Sequence, residues 1–362
     1  MRESLGPPPE PSAIANGRIT QLDGLRAVAV LMILVHHNLH VPLMWVGVDI
    51  FFVLSGFLIT GILLARKASG TGYFSYFYRR RAFRILPPYI VTLLACGILI
   101  TWHNFFPWPA FAFFGMNMNN LFWHAGDLPV PLWSLAVEEQ FYLVWPIVIL
   151  LISEAMLLRV AVAAVFLVPI LRVLATPLFP THYYIYYLTP FRADLLCAGA
   201  ALALLWKDRT PGFELFCRRR AWIGLLIGFG GMAFVQVWHV FRLLNNTRAA
   251  NGLIYSLSLV GSVSLVSWSL ADRGWLTRGL NWRPLRFIGR ISYTMYLVGA
   301  LVEVLALRFF HSRMVVLAID IAGTIAWATM SWYVMERPIL DFASGKTKAA
   351  QVEAERYAAQ AR

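Results

Sequence analysis

Acidic side chains are scarce in this chain. Its 362 residues carry 18 Asp and Glu against 31 Lys and Arg, a net charge of +13. Cysteine is scarcer still. Cys96, Cys197 and Cys217 are scattered, and the first two lie inside apolar runs. That spacing offers no metal site and no disulfide framework. Charge of either sign is thin, at 14% of residues, whereas 59% are hydrophobic. A mean hydropathy of +0.64 excludes a soluble domain of this size and points to a polytopic membrane protein. The positive charge does not indicate nucleic-acid binding, because the basic residues gather in short loops between apolar runs. The sequence shows no internal repeat, second domain or soluble catalytic module. Its Pro-rich start (GPPPEPS) lacks the apolar core and cleavage site of a signal peptide, so residues 1–21 are expected to form a retained, disordered cytoplasmic tail.

Ten apolar runs are long enough to span a membrane: roughly 22–40, 46–65, 85–102, 132–152, 157–174, 191–206, 221–240, 253–270, 288–310 and 315–335. Loop charges orient them. With the N-terminus inside, only Arg172, Arg192, Arg242, Arg248, Arg308 and Arg313 fall in outer segments. Arg26 lies within the first run, and every other Lys and Arg is inside. The expected fold is an all-α bundle of about ten transmembrane helices filling residues 22–341, with both termini cytoplasmic. A polar, Ala-rich cytoplasmic tail, 342–362, follows. The outer segment 103–131 carries Trp102, Trp108 and Trp123 at or beside it. It reads either as a lid or acceptor-binding surface or as an interfacial aromatic belt.

Three constellations carry chemistry. The first is Arg26 and His37, eleven positions apart in the first run. At about 100° per residue they leave one helical face, roughly 16 Å apart along the axis. An intramembrane cation and imidazole are costly to insert, which makes a functional site the default reading. Against it stands a snorkelling arginine and a packing histidine. Asp49 opens the next helix at similar depth and could orient His37 or cap its own helix. The second constellation is Arg79-Arg80-Arg81-Ala82-Phe83-Arg84. It is a positive-inside cluster in which Arg81 and Arg84 share a face suited to phosphate. The third is Trp133-Ser134-Leu135-Ala136-Val137-Glu138-Glu139-Gln140-Phe141-Tyr142. Its adjacent carboxylates point about 100° apart, one inward and one to the interface, with Ser134 a plausible N-cap.

In this order the constellations resemble the acyltransferase 3 family of integral membrane acyltransferases, over about residues 18–341. The resemblance selects Arg26 and His37 rather than His36. It extends to Gly47-Val48-Asp49-Ile50-Phe51-Phe52-Val53-Leu54-Ser55-Gly56-Phe57-Leu58 and to Arg80–Pro87. It also takes in Phe191-Arg192-Ala193-Asp194 with Gly199, Gly289-Arg290-Ile291-Ser292-Tyr293, and Glu336-Arg337-Pro338. One departure is Tyr296-Leu297-Val298-Gly299, where members often carry a histidine, so no catalytic role is placed on that helix.

The resemblance implies acyl, mostly acetyl, transfer from cytosolic acyl-CoA. The implied acceptor is a hydroxyl of an extracytoplasmic carbohydrate, glycolipid or small molecule, and the implied location is the inner membrane among its lipids. Acyl-CoA would be a donor substrate, with no permanently bound cofactor and no metal. Arg80, Arg81 and Arg84 would take the donor's phosphates. Arg26 would hold its pantetheine-side phosphates or polarise the thioester. His37 would act as general base, the preferred role, or as an acyl-carrying nucleophile. Asp49, Glu138 or Glu139 would support His37. The rival class is a transporter or flippase of a polar substrate, since cavity-facing buried charges also suit transport. Acceptor, chain length and oligomeric state are not legible.

Overall fold

The computed structural model describes residues 19–70, 72–99, 115–118, 132–237 and 246–343. The expected lid at 103–131 lies almost wholly outside these residues, as do most of both tails. Among the described residues there is no strand. The helices are α1 (Thr20–Leu39), α2 (Val46–Ser69), α3 (Tyr73–Leu99), α4 (Leu132–Leu151), α5 (Glu154–Ala175), α6 (His182–Tyr187) and α7 (Ala193–Lys207). Then come α8 (Pro211–Leu225), α9 (Gly231–Val237), α10 (Arg248–Ala271), α11 (Trp275–Leu280), α12 (Arg283–Leu307), α13 (Arg313–Ser331) and α14 (Arg337–Ala343). Single π-turns, Leu226–Gly230 and Trp332–Glu336, join α8 to α9 and α13 to α14.

Among the described residues nine helical stretches are long and apolar enough to cross a membrane. They correspond to nine of the ten apolar runs. The sixth run, 191–206, forms α7, which has 15 residues. At about 1.5 Å per residue that is roughly 22 Å, short of a hydrocarbon core of about 30 Å. Its burial explains its apolar character: Leu195, Leu196, Cys197, Ala198, Gly199 and Ala200 are all buried. A helix hydrophobic on every side belongs in the interior. By contrast, Ile98, Leu151 and Phe166 are 75%, 76% and 67% exposed, as lipid-facing side chains are.

The described residues form two compact units, the first comprising 19–70, 115–118, 132–237 and 246–290, and the second 72–99 and 291–343. In the first unit α2 and α7 pack backbone against backbone. A Cβ on Gly56 would sit 1.9 Å from the Leu196 carbonyl oxygen, and one on Gly199 2.1 Å from that of Val53. Small residues at such crossings are how membrane helices gain close packing. Lys67, near the end of α2, donates to the carbonyls of Ile149 (2.6 Å) and Ile152 (3.1 Å) and so closes the C-terminus of α4. Helices α5, α8 and α10 start on Ser153, Thr210 and Thr247, whose side chains accept from Met156, Phe213 and Ala250 N–H groups.

In the second unit α3 carries Pro87 and Pro88 within the helix. Tyr293 donates to the Ile85 carbonyl at 3.2 Å, in the stretch where the two prolines supply no N–H to the ladder. Glu336, 1% exposed, accepts from Thr294 (2.7 Å) and Ser331 (3.0 Å). Thr294, the residue after one string that carried the family resemblance, thus donates to the buried carboxylate that opens another.

Candidate functional site

Helix α1 is unbroken from Thr20 to Leu39, so Arg26 and His37 do leave one face, about 16 Å apart along the axis. Both are half-buried. Among the described residues Arg26 has no hydrogen bond, ion pair or ring contact. His37 makes no hydrogen bond there, and its ring meets only that of His36, 6.0 Å away. His36 is committed locally: its Nδ1 lies 3.0 Å from the Val41 carbonyl, and its own carbonyl accepts from His40 N–H at 2.9 Å, where α1 ends in a left-handed residue. The adjacent histidines thus divide between a turn and the face shared with Arg26. His37 stands in the last turn of α1, which stops at Leu39.

The expectation that Asp49 orients His37 needs correction. It is wholly buried, but neither oxygen reaches His37. One accepts from Arg192 Nη2, the other from Ser258 Oγ at 2.5 Å. Arg192 lies under the rings of Tyr255 (5.0 Å), Tyr186 (5.3 Å) and Phe52 (5.6 Å). Beside it Arg172 Nη1 donates to Asp194 Oδ2 (2.8 Å) and the Phe191 carbonyl (2.7 Å). All four charged groups are 0% exposed. Desolvation is too costly to leave either carboxylate or guanidinium alone there, so each acid selects a base. Arg172 and Arg192 are therefore not outer-loop charges, as the charge tally had them. They pin α2, α5, α7 and α10 together. The sequence signal was present: Arg192 and Asp194 stand beside an apolar run, and intramembrane charges demand partners.

On α4, Glu138 accepts from Ser55 Oγ of α2, which in turn accepts from Tyr142 at 3.1 Å. Glu139 is half-buried. Ser134 is not an N-cap: α4 begins at Leu132, and no acid lies in its first turn. Both glutamates therefore stand a turn further in than a dipole-capping role requires. Sequence reasoning missed a closed triangle next to them. Thr189 donates to Gln140 Oε1, Gln140 to Asn117 (3.0 Å), and Asn117 to Thr189 (2.8 Å). It fixes α4 against the turn before α7. An apolar cavity of about 210 Å³, lined by Met32, Leu43, Met44, Val46, Phe229 and Met232, reaches α1 about a third of a turn away from Arg26 and His37.

The three arginines expected to take donor phosphates belong to the second unit. Arg80 is exposed and donates to Tyr76 OH at 2.6 Å. Arg81 and Arg84 are half-buried, over the rings of Phe77 (5.9 Å) and Trp332 (5.6 Å). Among the described residues no three His, Cys, Asp or Glu side chains come together as a metal-ligand set.

The architecture defines an all-helical membrane protein, among the described residues, with Arg26 and His37 on one helix face. The chain belongs to the acyltransferase 3 family: the family model, described as an acyltransferase domain, matches residues 19–335. It is 30% identical over 359 residues to a Staphylococcus aureus (strain COL) protein named "Putative O-acetyltransferase SACOL0978", covering 88% of this chain and 57% of that one. It is 27% identical over 356 residues to "Peptidoglycan O-acetyltransferase OatA" of Listeria monocytogenes, covering 89% and 56%. The chain thus spans little more than half the length of these curated relatives. No solved structure matches it.

Proposed function

We propose that this chain is a membrane O-acetyltransferase that moves an acetyl group from cytosolic acyl-CoA to a hydroxyl of an extracytoplasmic carbohydrate or glycolipid. Family membership supports acyl transfer, and the names of the relatives support the acetyl group and the glycan acceptor. The observation that carries the reading is the α1 face, where a cation and an imidazole stand without hydrogen-bonding partners among the described residues in an apolar helix. Such groups are kept for a substrate.

His37 acts as general base. Its neutral nitrogen takes the acceptor hydroxyl's proton as that oxygen bonds to the thioester carbonyl carbon. The tetrahedral adduct collapses, the C–S bond breaks, and the thiolate leaves and is protonated. About 16 Å along the axis separates Arg26 from His37. That is too far for Arg26 to polarise a carbonyl at His37, so it serves the phosphate end of the donor's pantetheine arm. Arg80, Arg81 and Arg84 are the residues of the second unit to which we assign phosphate binding. Glu138, held by Ser55, is the carboxylate we assign to support the imidazolium. Asp49 serves the scaffold.

The test is mass spectrometry of surface glycans from cells with and without the chain. Loss of an acetyl mass on deletion, restored by the wild-type chain but not by His37→Ala, is expected. Glycans unchanged by deletion would remove the acceptor assignment.

A further inference from the structure

The apolar cavity beside the α1–α2 turn is held open by close backbone packing. Its volume is about 210 Å³. Met32 of α1, Leu43, Met44 and Val46 around the turn, Phe229 of the π-turn and Met232 of α9 line it, all within the first unit. One wall is pinned where a Cβ on Gly47 would lie 2.4 Å from the Ala29 carbonyl oxygen, so α1 and α2 already touch through their backbones. The other is pinned where a Cβ on Gly261 of α10 would lie 2.4 Å from the Phe229 ring. Two local conformations shape the space. Leu43 has a φ of 70°, in the left-handed region that bulky side chains avoid. Phe229 sits in a single π-turn. Both features are uncommon, and both gather at functional sites.

The lining narrows the occupant. All six side chains are apolar, and three are methionine, which adapts to varied apolar shapes. Such a cavity offers nothing to water or to a sugar; one of about 150 Å³ stays dry and takes benzene. The methyl of a transferred acetyl group would leave most of it empty. Met32, Leu43, Met44 and Phe229 are half-buried, so the cavity opens outward. On the stretch that carries Phe229 and Met232, Leu226, Ile227, Phe234 and Val237 are exposed, as lipid-facing side chains are. A hydrocarbon chain fits both the lining and the surroundings. Depth then says what such a chain would carry. The turn 40–45 joins two helices of spanning length, which places it at one membrane surface. Met32 precedes His37 by five residues, which is about 7.5 Å further into the bilayer. A chain in the cavity therefore runs inward from a head group at the level of His37. Met32 and His37 point about 140° apart on a helix about 10 Å wide. An oligosaccharide head group spans that gap, and a single hydroxyl does not.

We propose that this cavity holds the hydrocarbon chain of the acceptor, so that the glycan acetylated at His37 is carried on a membrane lipid. The inference rests on the acetyltransferase reading above and narrows its acceptor to a glycolipid. The chain sets depth and affinity, and the head group brings its hydroxyl to the imidazole. An ordinary phospholipid chain is the competing occupant, and the test separates the two.

Two photoreactive amphiphiles share one diazirine-bearing alkyl chain and differ in the head, maltose in one and phosphocholine in the other. Each is crosslinked to the full chain in phosphatidylcholine nanodiscs, and the labelled peptides are mapped by mass spectrometry. The maltoside is expected to label residue 32 and the segments 43–46 and 229–232 about tenfold more than the phosphocholine compound, the equivalent of one or two hydrogen bonds at the head. Met232→Trp and Met44→Trp fill the cavity. Each is expected to cut that label by about tenfold or more, since two methylenes denied burial already amount to that factor. Met44 is half-buried, and its variant is the readout should the Met232 variant not fold. Phe166→Trp, on the exposed face of α5, is expected to label as wild type. Equal labelling by both compounds would overturn the proposal in favour of a phospholipid chain. Label that survives both filling variants, or never reaches these segments, would overturn the cavity as the site. Wild-type protein labelled there that releases no coenzyme A from acetyl-CoA would overturn the acetyltransferase reading, and the acceptor's identity with it.

Discussion

His36 and His37 are adjacent, share a side-chain type, and do different work. His36 is spent on the turn that ends α1, through Val41, whereas His37 faces outward from that bond. Removing a general base typically costs 10²–10⁴-fold in rate. His37→Ala is therefore expected to lose acetyl turnover by about that factor in a labelled-donor assay. His36→Ala should chiefly loosen the α1–α2 turn and lower the melting temperature. The sequence disclosed the Arg26/His37 face because helical spacing alone fixes it. It did not disclose the partner of Asp49, because that bond joins residues far apart in the chain. Arg192→Ala leaves a buried carboxylate unpaired and is expected to cost about 3–5 kcal/mol of stability, read as a fall in thermal melting in detergent. An unchanged melting temperature would mean the Asp49 pair does not hold the bundle.

At the scale of elements, α2 is the organiser of the first unit. Its small residues admit α7 to backbone contact, its Ser55 holds Glu138 of α4, and its Asp49 meets Arg192 and Ser258. Gly56→Ala puts a methyl on the Leu196 carbonyl and is expected to cost about 1–3 kcal/mol by overpacking. Differential scanning fluorimetry would register it, and an unaffected transition would contradict the close approach. Tyr142→Phe removes the donor to Ser55 and should cost about 0.5–1.5 kcal/mol. Helix positions were legible because apolar runs of spanning length have few alternatives. The interior status of α7 was not, since a run of apolar residues reads the same against lipid and against protein. Ser134 was misread as a cap for a related reason: nothing local marks a start at Leu132.

For the whole molecule, helix count fixes sidedness. If α7 carries the chain across together with its flanking turns, the count is even and both ends share a side. Reporter fusions after Ala343 and before Ile19 are expected to report the same, cytoplasmic, side. Opposite sides would mean α7 does not cross. The family match covers residues 19–335, so the chemistry assigned to α1 belongs to that shared region. The account turns on His37 as the group that moves the acceptor's proton. The most direct measurement is acetyl release from labelled acetyl-CoA by the purified chain in nanodiscs, with a soluble hydroxyl acceptor, for wild type, His36→Ala and His37→Ala. Turnover in the first two and its loss in the third, with coenzyme A still bound, is the predicted result. Wild-type turnover in His37→Ala would contradict it.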